Sequence, residues 1–264
     1  MTATARQSRR HLAFEEVGST NTVAMEAARA GDPGPLWITA ARQTAGRGRR
    51  SRSWVSEPGN LFASVALIDP APADALGNLP LVAALGVRNG LAALPYATKP
   101  AIAIKWPNDV LVSGRKAVGI LIESERLPSG RMAVVVGIGV NVASCPSDTP
   151  YPVTSLAQEG CRADLAAVFG CVAEGLEAAL SLWDRGRNFA AIRLAWLQYA
   201  AGLGAPCRVN LADRSIDGTF TDLDEAGRLV LKEPSGSVRT ISAGDVFPLA
   251  SADAASTYGH VAAQ

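Results

Sequence analysis

The sequence predicts an α+β fold: a mixed β-sheet flanked by helices, followed by a small β-barrel. Three observations carry that expectation. Runs rich in Val, Ile, Leu and Ala recur between Leu36 and Asn141, several alternating apolar and polar as half-buried strands do. Helical periodicities lie before, between and after them. From Pro206 onward the texture changes to short alternating runs cut by Asp and Gly turns.

The first helix covers Thr20–Ala30, with Ser19 or Thr20 as N-cap and Gly31 as its stop. Strands follow at Leu36–Gln43 and Leu61–Ile68, then a helix at Leu79–Leu94. Ala101–Trp106 and Asp109–Val112 are two more strands. Pro107 has no N–H to give a ladder, so the chain breaks between them and presents Lys105, Asn108 and Asp109 at a sheet rim. Ser113-Gly114-Arg115 is a tight turn that pairs Asp109–Val112 antiparallel with Lys116–Glu125. Met132–Asn141 completes the sheet, and Arg162–Asp184 and Phe189–Ala200 complete the helices. Gly202 and Gly204 mark a boundary, giving a larger domain over 1–203 and a barrel over 204–250. Its runs are Cys207–Leu211, Ser215–Asp222, Arg228–Lys232 and Val238–Ser242, and residues 251–264 read as a flexible tail.

Composition excludes several classes of protein. In 264 residues, 25 Lys and Arg balance 24 Asp and Glu, so the chain is not built to coat nucleic acid or an anionic membrane, and any basic site is local. The segment Met1–His11 lacks the apolar core of a secretory signal, and no apolar stretch reaches the roughly 20 residues that span a bilayer. A cytoplasmic protein with no membrane partner is expected. Cys145, Cys161, Cys171 and Cys207 form no C-x-x-C pair, so neither a disulfide framework nor a protein-held metal site is expected.

The densest chemical signal runs from Gly46 to Trp54, where Arg47, Arg49, Arg50 and Arg52 alternate with Gly46 and Gly48. Glycines bring backbone N–H groups close to an anion, and Arg offers a planar fork of donors for carboxylate or phosphate. Alone, the loop fits a small anionic ligand, a nucleic-acid backbone or plain solvent. It is no dinucleotide fingerprint, since Ser51 stands in the third glycine slot, and Gly137-x-Gly139 fails likewise at Val142. Lys116 begins a buried strand from which its ammonium can reach a rim, and Asn141 ends another with an amide able to read a donor–acceptor edge. No P-loop, H-E-x-x-H or G-x-S-x-G occurs. His11 and His260, the only histidines, lie near the termini, which disfavours His-based catalysis. Cations without His suit transfer at phosphorus or at an activated acyl group.

Five segments taken in order resemble the biotin protein ligases: Gly18-Ser19-Thr20-Asn21, Gln43 to Trp54, Lys105-Trp106-Pro107-Asn108-Asp109, Arg115 to Leu121, and Gly137-Ile138-Gly139-Val140-Asn141. The resemblance implies a class II aminoacyl-tRNA-synthetase-like catalytic domain followed by an SH3-like barrel. It implies an ATP- and Mg²⁺-dependent ligase that makes biotinyl-5′-adenylate and biotinylates a lysine of a biotin carboxyl carrier protein. By the same resemblance Ser19, Thr20, Asn21, Gln43, Arg47, Gly48, Arg49 and Lys116 bind biotin. Arg49, Arg52, Trp54, Lys105, Asn108 and Asn141 bind ATP or the adenylate, and Lys116, Arg47, Arg49, Lys105 and Asp109 carry the chemistry. Asp109 is left to orient Arg49, hold metal or help deprotonate the incoming lysine. The family usually has Gly where Ser51 stands, which implies a stiffer loop, costly if that residue needed positive φ. Few residues precede the first motif, so the N-terminal DNA-binding domain of bifunctional members is not expected, nor is a DNA partner; a homodimer stays open. A lipoate or octanoyl transferase and a nucleic-acid-binding module are the rival readings.

Overall fold

The computed structural model describes residues 9–249, so the expected tail at 251–264 lies outside the described residues. Strands β1 (His11–Val17), β2 (Leu36–Gln43), β3 (Leu61–Ile68), β4 (Ile102–Lys105), β5 (Asp109–Val112), β6 (Arg115–Arg126) and β7 (Met132–Val140) form one sheet in the order β1-β2-β3-β7-β6-β5-β4. β1 runs parallel to β2 and every other pair is antiparallel, so the sheet is mixed, as expected. The parallel pair needs a crossover, supplied by helix α1 (Thr20–Arg29). Between β5 and β6, Ser113 and Gly114 have φ of 50° and 76°, the left-handed pair that a tight two-residue hairpin demands.

Side chains alternate along each strand, which gives the sheet two unlike faces. Ala63, Val65, Val118, Ile120, Val134, Val136 and Ile138 pack into the core with α2 (Leu79–Ala92), α3 (Leu165–Trp183) and α4 (Phe189–Leu197). On the other face Leu36, Ile38, Ala66, Ala133 and Val135 lie under Ala24, Met25 and Ala28 of α1. Past the N-terminus of α1 the same face continues through Ser64 paired with Gly137, and through Phe62, Gly139 and Gly119 in neighbouring register. Three glycines stand where the adjoining positions carry Val or Ile, so the surface drops into a trough.

α3 starts where Asp164 accepts from Ala167 N at 2.7 Å, a side-chain N-cap, three residues later than the pattern suggests. With the turn that follows, Leu165–Gly186 is long and apolar enough to cross a membrane by length and composition, which corrects the expectation that no stretch would be. Val168, Val172, Leu176 and Trp183 of this helix are buried in the core.

The expected barrel is a five-stranded antiparallel sheet of β8 (Pro206–Asn210), β9 (Ser215–Leu223), β10 (Leu229–Lys232), β11 (Val238–Ile241) and β12 (Asp245–Pro248), in the order β11-β10-β9-β8-β12. Its Val209, Phe220, Leu229 and Leu231 share one hydrophobic core with Trp106 and Trp196. Trp196 meets Phe220 edge-on at 6.5 Å, and Trp106 Nε1 donates to Gly227 O at 3.2 Å. The second sheet is thereby fixed against the rim that carries the lysine motif.

Candidate active site

The trough is cut to hold two side chains. A Cβ on Gly119 or Gly139 would lie 2.6 or 2.5 Å from the Trp54 ring, and one on Gly137 would lie 2.1 Å from Asn21 Oδ1. Any larger residue would evict them. Trp54 thus lies across β6 and β7, one wall of a cavity lined also by Ser19, Gln43, Arg49, Asp109, Lys116 and Tyr151.

At one end of the cavity the polar groups form a chain of hydrogen bonds. Thr20 donates from its N and Oγ1 to Gln43 Oε1 at 2.8 and 3.1 Å, and Gln43 Nε2 donates to Ser56 Oγ at 3.0 Å. Ser64 Oγ lies 2.7 Å from Thr20 Oγ1 and 2.6 Å from Asn21 Oδ1, and Asn21 Nδ2 donates to Glu123 Oε2 at 2.7 Å. The N-terminus of α1 and the glycines of β7 bring these groups together; Ser19, Thr20 and Asn21 are all buried.

The arginine loop closes on itself, with Trp54 N donating to Gly46 O and Gly48 N to Arg52 O. Two carboxylates then pin it. Arg47 donates from Nη2 to Glu123 Oε2 at 2.9 Å and from Nη1 to Thr22 Oγ1 at 3.1 Å. Across the cavity, Asp245 of β12 sits 2.6 Å from Arg52, 3.2 Å from Arg50 and 3.8 Å from Arg49. The positive φ of the loop, 54°, falls at Arg50 and not at Ser51, so the backbone conformation that would be costly at Ser51 is not adopted there.

Lys116 Nζ pairs with Asp109 Oδ1 at 2.8 Å and lies over the rings of Tyr151 and Trp54 at 5.3 and 5.7 Å. Asp109 thus forms a pair with Lys116, a contact outside the three uses named for it from the sequence. Arg49 instead donates to Asn108 Oδ1 at 2.8 Å and Gly244 O at 3.2 Å, while Asn108 Nδ2 donates to Ile120 O. Burial pulls the Arg49 pKa down against the attraction of Asp245 and Asp109. Lys105, half-buried beside the cavity, has Nζ 4.8 Å over Phe247 and 5.8 Å over Tyr151; burial lowers its pKa, partly offset by Asp109. Asn141 is not brought to the cavity's lining. It is buried, donating from Nδ2 to Thr154 O at 3.1 Å, so its amide organises the following loop.

Sequence reasoning missed Glu123, Ser56, Ser64, Tyr151 and Asp245. Only Glu123, a charge facing outward from an apolar strand, left a trace. Among the described residues no group of three or more His, Cys, Asp and Glu converges to hold a metal ion. One end of the cavity therefore offers neutral donors and acceptors, and the other gathers cations beside single carboxylates. Such a site can hold an uncharged polar group and stabilise charge developing on phosphate.

Residues 13–141 match the biotin/lipoate A/B protein ligase family, and residues 202–247 match the biotin protein ligase C-terminal domain. The chain is 39% identical over 241 residues to a biotin–[acetyl-CoA-carboxylase] ligase of Paracoccus denitrificans, covering 87% of this chain and 96% of that one. It is 33% identical to the enzyme of the same name from Mycobacterium tuberculosis, covering 89% and 87%. A solved biotin protein ligase from Aquifex aeolicus, in complex with biotin and ATP, superposes with a TM-score of 0.74 at 27% identity, covering 92% of this chain and all of that one. Matched over most of the length of such relatives, the chain belongs to the biotin protein ligase family of enzymes.

Proposed function

We propose that the chain activates biotin as biotinyl-5′-adenylate and transfers it to a lysine of a biotin carboxyl carrier protein. The observation that carries this reading is the polarity of one cavity. Neutral amide and hydroxyl groups (Thr20, Asn21, Gln43) suit a ureido ring at one end, and Arg49, Arg52 and Lys116 suit phosphate at the other.

Biotin's carboxylate oxygen attacks the α-phosphorus of ATP; the new P–O bond forms as the bond to pyrophosphate breaks. Negative charge spreads over the phosphate oxygens, where Arg49, Arg52, Lys105 and Lys116 stabilise it. Asp109 holds the Lys116 ammonium in place through their ion pair. The carrier's amine then attacks the acyl carbon and AMP leaves. Arg47 and Gly48 cross the biotin side of the cavity, Trp54 lines its wall, and Asn108 holds Arg49 in place. Mg²⁺, when bound, would arrive on the nucleotide's phosphates, as it commonly does.

We read the larger sheet with its helices as a class II synthetase-like domain and the second sheet as an SH3-like barrel, divided near residues 203 and 204. The link from Asp245 to three arginines supports a role for that barrel in ordering the phosphate side. ATP as co-substrate suits a cytoplasmic enzyme.

The adenylate step is tested without any carrier. With biotin, ATP and Mg²⁺, pyrophosphate is released and a species of biotinyl-adenylate mass accumulates. Pyrophosphate release that ignores biotin, or none until carrier is added, overturns the two-step reading.

A further inference from the structure

We propose that Glu123 is a positioning residue that sets the polarity of the hydrogen-bond chain reading the ureido ring. The inference rests on the biotin reading above. Glu123 is not part of the cavity wall; it stands behind two residues that are. A carboxylate only accepts hydrogen bonds, so the Asn21 amide must turn Nδ2 toward Glu123 Oε2, at 2.7 Å, and Oδ1 away from it. Oδ1 then faces Ser64 Oγ at 2.6 Å, within a cluster that runs on to Thr20 Oγ1 and Gln43 Oε1. The opposite amide flip would set two acceptors against each other. With its N–H groups directed to Glu123 Oε2 at 2.7 Å and Leu121 O at 3.4 Å, Asn21 keeps a defined lone pair of Oδ1 for the ligand.

The same carboxylate takes both contacts of Arg47 Nη2, at 2.9 and 3.0 Å, and so ties the loop's first arginine to the amide it orients. Glu123 reaches both because β6 places it on the α1 face, opposite Val135 and two residues beyond Leu121. A glutamine there could donate as well as accept, leaving the Asn21 flip undetermined.

Glu123→Ala is expected to raise KM for biotin about tenfold or more, as removal of a charged acceptor from a buried amide does, with KM for ATP within about twofold. Glu123→Gln, which keeps the volume but no longer forbids the opposite Asn21 flip, also raises KM for biotin, by less than Glu123→Ala, and covers the case in which the alanine variant fails to fold. Because Glu123 acts in part through Asn21, adding Glu123→Ala to Asn21→Ala raises KM for biotin by less than Glu123→Ala does in the parent, the remainder being the lost Arg47 contact. A biotin KM for Glu123→Ala within twofold of the parent, equal rises in both KM values, or full additivity with Asn21→Ala overturns the assignment. A parent chain that labels no carrier lysine with biotin refutes the underlying reading instead, and is recognisable before any variant is made.

Discussion

Lys116 and Lys105 lie beside one cavity yet differ in what surrounds them. Lys116 has an ion pair with Asp109 at 2.8 Å, whereas Lys105 is held mainly by aromatic rings. Lys116→Ala removes a cation from the place where phosphate charge develops, so adenylate formation should fall about 100-fold or more; pyrophosphate release at the parent rate contradicts its role. For Lys105, burial lowers the ammonium's pKa from 10.5, so between the lowered value and 10.5 the unfolded chain binds more protons than the folded one. Stability therefore rises with pH through that window, and the burial penalty is fully present below it. Lys105→Met should raise the melting temperature most near neutral pH, with the gain shrinking as pH approaches 10.5; a gain independent of pH contradicts the burial argument. The basic residues were legible in the sequence because charges concentrated in a glycine loop are rare in an otherwise balanced chain. Their acidic partners were not. Glu123 and Asp245 lie 76 and 193 residues from the arginines they hold, and only folding sets those registers.

At the scale of elements, the site depends on glycines that let one face of the sheet sink. Gly137→Ala puts a methyl group 2.1 Å from Asn21 Oδ1, so Asn21 must move while the strand stays paired. KM for biotin should rise about tenfold or more for the loss of a positioned amide, with a melting temperature only a few degrees lower; an unchanged KM contradicts the packing described. Most strands were readable because apolar runs flanked by turn residues are the signature of buried β-structure. β1 escaped for the opposite reason. It is an edge strand exposed along nearly its whole length, with Leu12 and Phe14 open, so no burial pattern was written into it. β12 has one buried residue, Val246, so it carries no alternation to read.

The whole molecule joins two sheets through one core and one charged seam. Asp245, only 13% exposed, reaches from the second sheet to Arg49, Arg50 and Arg52 of the first domain's loop. Asp245→Ala leaves those cations without their shared partner. The loop should then be cut faster by trypsin, and kcat/KM for ATP should fall about tenfold, in the range for a lost charged contact; cleavage at the parent rate contradicts the clamp. That the C-terminal segment was a separate β-unit was legible from its turns, but its bearing on the loop was not, because nothing local in β12 points to arginines nearly two hundred residues away. The central claim is that one cavity couples an ATP-activated carboxylate to a carrier lysine and chooses biotin. The direct measurement is the intact mass of a biotin carboxyl carrier domain after incubation with the protein, Mg·ATP and equimolar biotin and lipoate. A gain of one biotinyl group, lost when ATP is omitted, is the predicted result; a lipoyl gain, or no gain while a control ligase labels the same carrier, contradicts it.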